Sequence, residues 1–391
     1  MAKRAFLIVL DSFGVGYEPD ADKFGDVGAN TLASIAANEN FKADNLAKLG
    51  LFNLDGVTCG EKCSNVLGSY VRLREASNGK DTTIGHWEIA GVESERALPT
   101  YPNGFPPEII SEFERLTGRK TICNATYSGT EVIKDYGEEH MRTGDLIVYT
   151  SADSVFQVAA HEEIVPVPEL YRYCQIARDM LKGEHGVGRV IARPFVGTCA
   201  ADFKRTTNRH DYSLKPPKKT MLDYLKEAGK DVIGVGKIFD IFDGEGITEK
   251  IRTTGNTNGI EVTMELLERD FDGLAFVNLV DFDMIYGHRR NIPGYAAATA
   301  EFDAALGKML TKLRPDDILI ITGDHGCDPG YTKTTDHTRE YVPMLTIGKA
   351  IKENNNLGTL MGFGTMANTI CDFLEVPAEL AGVKLGEKIF K

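Results

Sequence analysis

The chain has 391 residues, of which 42% are hydrophobic, and 57 acidic against 44 basic residues give a formal net charge of −13 at pH 7. This length exceeds what one hydrophobic core usually supports, so we expect two domains. The acidity argues against nucleic acid and anionic membranes as partners, and no stretch approaches the ~18 apolar residues of a membrane span.

The first predicted element is the apolar run Ala5–Leu10 in MAKRAFLIVLDS. It is too short for the core of a signal peptide, and Asp11 ends it without a small-residue cleavage site. The seven cysteines are an odd number, and Cys59 and Cys63 have no second pair at zinc-finger spacing. We therefore expect reduced thiols and a cytoplasmic protein.

Four apolar runs end abruptly in polar residues, and Asp11, Asp153, Asp281 and Asp324 lie just beyond them. The runs are AFLIVL, LIVYT, LAFVNLV and ILIIT. Continuous apolar runs of this length are typical of strands buried on both faces of a parallel sheet. Ligands bind beyond the carboxyl ends of such strands, so the pattern predicts a site lined by carboxylates.

Helical patterns separate these runs, and the clearest covers residues 295–313. Its apolar side chains recur along one face at Ala298, Phe302, Leu306, Met309, Leu310 and Leu313. Strands that alternate with helices predict an α/β layered core.

Two clusters of prolines predict hinges around an inserted domain. The first cluster is Pro99, Pro102, Pro106 and Pro107, and the second is Pro216 and Pro217. We expect a discontinuous core domain of residues 1–98 and 217–391, with residues 99–216 inserted into it.

Six carboxylates and imidazoles are notable because most of them follow apolar runs on loops that contain glycine. They are Asp11, Asp283, His288, Asp324, His325 and His337. This oxygen and nitrogen set suits Mn²⁺, Zn²⁺ or Fe²⁺ better than Ca²⁺. Three ligands for each of two ions could hold a phosphoryl group between the ions. The alternative is that these are ordinary turn, cap and structural residues.

The stretch GKDTTIGHWE, residues 79–88, places Thr82 and Thr83 on a turn between glycines. Glycine disfavours a helix interior, and the charges disfavour a strand. A threonine hydroxyl here could cap the next helix, or it could be a nucleophile activated by a base or a metal ion. We expect His86 and Trp87 to pack and to orient the turn.

Taken together, the motifs resemble the phosphopentomutases of the prokaryotic type, a family of the alkaline phosphatase superfamily. The resemblance runs nearly end to end and rests on LDSFGVG, GKDTTIGHWEIAG, YTSADSVFQVAAHEE, VIARPFVG, TNRHDYSLKPP, GKIFDIFDGEG, NLVDFDMIYGHRR, GDHGCDP and TDHTREYVP. It implies an α/β fold: an alkaline-phosphatase-like layered core with a mostly parallel sheet, and an inserted smaller α/β cap domain that binds substrate.

The resemblance also implies an isomerase that interconverts the 1-phosphates and 5-phosphates of ribose or deoxyribose. The reaction would pass through a phosphothreonine enzyme and a bisphosphate intermediate, with two Mn²⁺ ions. Glucose 1,6-bisphosphate or a pentose bisphosphate would serve as activator. The partners would be pentose phosphates, and the sequence leaves the oligomeric state open, a monomer included.

Individual roles follow from the same resemblance. Thr82 would be the nucleophile, one Mn²⁺ would be held by Asp11, Asp324 and His325, and the other by Asp283, His288 and His337. Asp153, Arg205 and Lys237 would bind substrate, and Arg189 or Arg193 would add a guanidinium for the phosphate that does not react. Arg189 and Arg193 would share a face of one strand, so periodicity does not separate them.

Other functions remain alternatives at this point. A metal-dependent phosphatase or an enzyme like the cofactor-independent phosphoglycerate mutases could use the same core. The mutases of that class use a serine, so Thr82 argues against them. A metal-storing or phosphosugar-binding protein would not need Thr82 for any turnover.

Overall fold

The computed structural model describes residues 2–151, 153–334 and 336–391. The chain forms two compact units. One consists of the chain up to Ala97 together with Pro216–Lys391, and the other is Leu98–Lys215. The roles expected of these units, a metal-binding core and a substrate-binding cap, stay predictions.

The strands and helices alternate along much of the chain. The strands are β1 (Arg4–Leu10), β2 (Ser69–Arg74), β3 (Thr121–Thr126), β4 (Leu146–Thr150), β5 (Val155–His161), β6 (Arg189–Val196), β7 (Lys204–Arg205), β8 (His210–Ser213), β9 (Asp231–Val235), β10 (Glu249–Ile251), β11 (Gly273–Leu279), β12 (Asp317–Thr322), β13 (Val342–Gly348) and β14 (Asn355–Met361). The helices are α1 (Thr31–Ala36), α2 (Asp44–Lys48), α3 (Thr82–Ile89), α4 (Pro107–Thr117), α5 (Glu131–Thr143), α6 (Val167–Met180), α7 (Met221–Glu227), α8 (Ile238–Ile241), α9 (Asn256–Glu268), α10 (Ile292–Leu310) and α11 (Thr365–Phe373).

The discontinuous unit contains an eight-stranded sheet in the order β10-β9-β11-β1-β12-β13-β2-β14. The strands from β10 to β12 are parallel, and β13 is antiparallel to both of its neighbours. Every residue of β1, β11 and β12 is buried, as two-sided burial of their apolar runs predicts. The predicted α/β fold with a mostly parallel sheet is confirmed.

Helix α10 covers one face of this sheet. Phe302 and Leu306 pack in the same core cluster as Phe6 and Ile8 of β1. The helix ends at Leu310, three residues before the end that the apolar pattern suggested. Pro315 follows shortly after, and the residue before a proline disfavours the helical region.

The inserted unit has its own six-stranded sheet and its own cores. The strand order is β3-β4-β5-β6-β7, and β8 pairs with β6. Strands β4 and β5 are buried throughout. Helices α4 and α6 contribute Phe113 and Leu170 to one core cluster, and α5 contributes Val132 to another. The inserted unit is therefore α/β as well.

The carboxyl ends of β11, β1 and β12 lie side by side because the three strands are parallel neighbours. Residues just beyond these strands are therefore brought to one edge of the sheet. No helix in the described ranges is both long and apolar enough to span a membrane.

Candidate active site

The three aspartates of the predicted ligand set lie beyond the three central strands. Asp11 follows β1, and Asp324 follows β12 after one glycine. Asp283 lies in a π-helical turn, Phe282–Gly287, beyond β11. Single-turn π segments are frequent at functional sites. Asp11 and Asp324 are 1% and 0% exposed, so neither carboxylate is hydrated by bulk solvent.

Asp11, Asp324 and His325 form one compact group, with one ligand atom from each residue lying within 4.8 Å of the others. His325 Nε2 is 3.5 Å from Asp11 Oδ1 and 3.3 Å from Asp324 Oδ2. Ser12, next to Asp11, has a left-handed φ of 69°, and its backbone N–H donates to Asp324 Oδ1 at 2.9 Å. The turn after β1 is thus bonded to the turn after β12.

Asp283 contacts both His288 and His337 beside the first group, and its ligand atoms also lie within 4.8 Å of those of His325 and His337. Asp283 Oδ2 is 3.3 Å from His288 Nε2, and Asp283 Oδ1 is 3.5 Å from His337 Nε2. The ring centroids of His325 and His337 are 4.1 Å apart. The fold therefore brings all six residues together, and their role as metal ligands stays a prediction.

Unpaired oxygen atoms show that this cluster fits metal ions. Asp11 Oδ1, Asp283 Oδ1 and Asp324 Oδ2 are buried and accept no hydrogen bond from the described residues. A buried carboxylate oxygen without a donor is costly unless a cation occupies the space in front of it. Asp324 Oδ2 does lie 3.0 Å from His86 Nδ1, but that N–H is directed to the carbonyl oxygen of Thr82, 2.9 Å away.

The tautomer of His325 fits the same interpretation. Its Nδ1 is 2.9 Å from the carbonyl oxygen of Gly326, which can only accept, so Nδ1 carries the proton. The Nε2 lone pair then faces Asp11 and Asp324. Metal-ligating histidines commonly donate their other N–H in this way.

The pKa values of the cluster reflect burial and the close spacing of its charged groups. Burial raises the pKa of the Asp11 carboxyl well above its usual range, and the charges of Asp324 and Asp283 raise it further. Burial lowers the pKa of His325 to about 4, so its imidazole is neutral at pH 7. Burial opposes ionisation of Asp283, but His337 and His288 hold the pKa of that carboxyl well below its usual range.

Thr82 is the first residue of α3, and its Oγ1 lies 3.0 Å from His325 Nε2. The cap of the helix is Asp81, whose Oδ1 accepts the N–H groups of Thr83 and Ile84 at 3.0 and 3.1 Å. The Thr82 hydroxyl is therefore not needed as a cap and is directed at the ligand cluster. Gly85, one turn along α3, packs directly on the backbone of Asp324.

Two residues that touch the cluster were assigned no chemical role from the sequence. His86 is fully buried, and it contacts both Asp324 and the Thr82 carbonyl. Asn278 Nδ2 donates to Asp11 Oδ2 at 2.8 Å and lies 3.3 Å from His86 Nε2. Asn278 is the one amide in LAFVNLV. An amide inside a run that is buried on both faces could have been recognised from the sequence as a candidate site residue.

Cys327 is a third such residue. Its Sγ is 3.9 Å from His288 Nδ1, and Asp283, His288 and Cys327 have ligand atoms within 4.8 Å of one another. The sequence analysis did not include Cys327 among the residues of the site. Its proximity depends on Gly287, whose missing side chain leaves room for the thiol.

The expected substrate-binding residues of the inserted unit divide into two places. Arg189 begins β6 and lies 3.7 Å from both Asp153 and Asp211. Arg193, on the same strand, lines a cavity of about 510 Å³ together with Arg205. The structure thus separates the two arginines that periodicity could not: Arg189 has carboxylate partners, and Arg193 faces the cavity.

The cavity is strongly cationic. Arg193, Arg205, Lys204 and Arg209 line it, and Arg205 and Lys204 have no ion pair with any described residue. Tyr149 lies beside them with a buried hydroxyl that has no partner in the described ranges. Burial raises the pKa of this hydroxyl, and the nearby arginines only partly oppose that rise. Unpaired guanidinium and hydroxyl donors of this kind suit a phosphate group.

Lys237 belongs to the discontinuous unit, where it precedes α8. Its positive charge is among the influences that lower the pKa of Asp11. Lys237 follows β9, a parallel neighbour of β11, and so lies beyond the carboxyl ends of the strands, as the aspartates do.

Comparisons with known proteins identify relatives of this chain. Residues 3–378 match the model of the metalloenzyme superfamily. The chain is 56% identical over 390 residues to the phosphopentomutase of Lachnoclostridium phytofermentans and 53% identical over 392 residues to that of Clostridium novyi, with 100% of both chains covered in each case. Among solved structures, the PH0037 protein of Pyrococcus horikoshii aligns over 97% of this chain and 99% of its own, with a TM-score of 0.49 and 15% identity.

Proposed function

The chain belongs to the phosphopentomutase family of the metalloenzyme superfamily, and on that premise we propose that it interconverts the 1-phosphate and 5-phosphate of ribose or deoxyribose. The family is one of isomerases that transfer phosphoryl groups. The observation that carries the proposal is the Thr82 hydroxyl, 3.0 Å from His325 inside a cluster of three carboxylates and three imidazoles.

We propose that the cluster holds two Mn²⁺ ions. Asp11, Asp324 and His325 would hold one ion, and Asp283, His288 and His337 the other. The buried oxygens without donors and the His325 tautomer support metal binding by this cluster, and the division of the ligands between two ions follows the family resemblance. When bound, the ions would withdraw charge from the transferring phosphoryl group and from the Thr82 oxygen.

The reaction begins with phosphorylated Thr82. The free hydroxyl of a pentose monophosphate attacks the phosphorus, the bond from phosphorus to Thr82 Oγ1 breaks, and a pentose bisphosphate forms. The sugar hydroxyl loses one proton and the Thr82 oxygen gains one. The bisphosphate then reorients, and Thr82 attacks its other phosphoryl group, which reverses these changes and leaves the isomeric monophosphate. Glucose 1,6-bisphosphate would supply the first phosphoryl group.

The cationic cavity of the inserted unit would bind the phosphate that does not react. Arg205 and Arg193 would be its principal donors, and the Tyr149 hydroxyl would add a neutral one. Asp153 would accept hydrogen bonds from sugar hydroxyls, with Arg189 beside it. Lys237 would add a positive charge on the side of the ligand cluster. We propose a cytoplasmic location for the enzyme.

The decisive experiment separates a mutase from a hydrolase built on the same core. Purified protein with Mn²⁺ and a catalytic amount of glucose 1,6-bisphosphate is mixed with ribose 5-phosphate. We expect ribose 1-phosphate to form without release of inorganic phosphate. Phosphate released at the rate of substrate loss would establish a phosphatase instead.

A matched pair of variants tests the nucleophile. Thr82→Ala should abolish turnover, and its intact mass should no longer increase by one phosphoryl group, while its metal content stays unchanged. Thr83→Ala, at the adjacent threonine, should retain both turnover and the mass increase. Equal turnover in the two variants would exclude Thr82 as the phosphoryl acceptor.

A further inference from the structure

Arg339 is a buried arginine that takes no part in the proposed chemistry, yet it contacts the segment that leads to Thr82. It lies two residues beyond His337, and 3% of its side chain is exposed. Burial of a guanidinium is costly unless its donors are paired. The acceptors that pair with Arg339 therefore indicate which parts of the chain it stabilises.

The guanidinium holds the main chain that precedes α3. Nη1 donates to the carbonyl oxygens of Ser77 and Gly79 at 2.8 and 2.6 Å, and Nη2 donates to the carbonyl oxygen of Glu75 at 2.9 Å. The carbonyl oxygens of these three alternate residues all point towards Arg339, so one planar group reaches all three. The segment that enters the Thr82 turn is thereby fixed along its length.

Thr338, the residue between His337 and Arg339, is bonded to the loop that carries His325. Thr338 exchanges two backbone hydrogen bonds with Gly326, at 2.8 and 3.0 Å, in the loop after β12. The Arg339 N–H donates to Asp26 Oδ2 at 2.9 Å, and Lys80 Nζ lies 2.9 Å from the same oxygen. Two links, one through Arg339 and one through Lys80, therefore connect these loops to the turn before α3.

Acidic side chains give the guanidinium a single orientation. Glu75 Oε2 is 2.6 Å from Nη1, Glu18 Oε2 is 3.2 Å from Nε, and Asp20 Oδ2 is 3.3 Å from Nη2. The ring of Phe24 lies 5.0 Å from the guanidinium carbon. A lysine would keep the charge, but its point-like ammonium cannot reproduce this planar set of contacts.

We propose that Arg339 is a positioning residue that sets the Thr82 hydroxyl in place relative to His325 and His337. The inference rests on the proposed function, because it requires Thr82 to be the phosphoryl acceptor. Arg339 acts through the main chain before Thr82 and through Thr338, which follows His337. Its loss would move the hydroxyl relative to the histidines.

The test compares Arg339→Lys with Arg4→Lys, a matched control. Arg4 is equally buried, donates to the carbonyl oxygens of Leu267 and Arg269, and pairs with Asp317. It lies at the start of β1, the end of the strand opposite the ligand cluster. Both variants lose a buried guanidinium that holds main-chain carbonyls, so a purely structural effect would appear in both.

The readout is the rate at which glucose 1,6-bisphosphate phosphorylates Thr82, followed by quenching and intact mass. We expect this rate to fall about 30–100-fold in Arg339→Lys and less than about threefold in Arg4→Lys, with unchanged metal stoichiometry. Equal losses in the two variants, or a wild-type rate in Arg339→Lys, overturn the inference. A wild-type protein that gains no phosphate contradicts the proposed function instead.

A second variant keeps the inference testable if Arg339→Lys does not fold. Lys80→Met removes the other link to Asp26 and leaves the guanidinium in place. We expect about a tenfold lower phosphorylation rate with an unchanged melting temperature. A wild-type rate in Lys80→Met would overturn the inference in that case.

Discussion

Gly85→Ala is the substitution whose effect on the site follows most directly from distances. A Cβ at this position would overlap the backbone oxygen of Asp324 and would lie 3.0 Å from its carbonyl carbon. Ordinary carbon contacts lie at about 3.5–4.0 Å, so α3 and the loop after β12 must separate by about 1 Å. Both atoms of Asp324 are main chain, so a change of side-chain rotamer cannot relieve the overlap.

The shift would separate Thr82 from the ligand cluster. Alanine would favour the helix by about 1 kcal/mol, but overpacking typically costs about 1–3 kcal/mol, so the steric effect wins. A misplacement of about 1 Å costs on the order of 100-fold in rate, or about 2.7 kcal/mol. We therefore expect kcat for the mutase reaction to fall about 100-fold, and the affinity for Mn²⁺ to fall as Asp324 moves.

The assay measures kcat at saturating Mn²⁺ and the metal affinity by calorimetry. Gly307→Ala in α10 is the control, because its Cβ would meet only the flexible end of the Asn45 side chain, at 2.9 Å. We expect nearly wild-type values for it. A Gly85→Ala protein with kcat and Mn²⁺ affinity within about threefold of wild type would refute the reasoning.

Three further results are expected. Arg205→Met should raise KM for ribose 5-phosphate at least about tenfold with a smaller change in kcat, whereas the exposed Arg142→Met should change neither; equal KM values in steady-state assays would contradict this. Removal of metal by chelation should lower the melting temperature, and about a hundredfold excess of Mn²⁺ over Kd should restore about 5 °C, since a ligand of the folded state stabilises it; a melting temperature insensitive to Mn²⁺ would contradict this. Burial and Asp328 raise the pKa of Glu340 from 4.5 to about 7, so its contribution to stability is full below pH 4.5 and is lost as the pH rises through 7. Relative to Glu340→Gln, the wild type should therefore lose up to about 3 kcal/mol in urea unfolding between pH 5 and pH 8, and a constant difference would contradict the pKa.

The central strands could be predicted because their continuous apolar sequences are compatible only with burial on both faces of a sheet. The run Ala5–Leu10 is apolar without alternation, and only burial on both faces satisfies such a run. The same signal located the carboxylates at the strand ends. It could not reveal that β13 enters the sheet antiparallel between β12 and β2, because that order depends on pairings between residues far apart in the chain.

Part of the site could also be predicted from local sequence patterns. Residue types and glycine-bearing loops indicated the six candidate ligands, but their grouping came from a family resemblance. The contact of His86 with Asp324 depends on where α3 crosses the end of β12, which no local pattern encodes. Asn278 and Tyr149 were different, because each is a polar side chain inside a buried apolar run and could have been recognised as such.

The most direct test of the account is a crystal of the protein soaked in Mn²⁺, with anomalous scattering recorded at the manganese edge. We predict two peaks: one contacted by Asp11, Asp324 and His325 and the other by Asp283 and its two histidines, with Thr82 Oγ1 within about 4 Å of a peak. A single peak, or a pair of peaks that both lie far from Thr82, would contradict it.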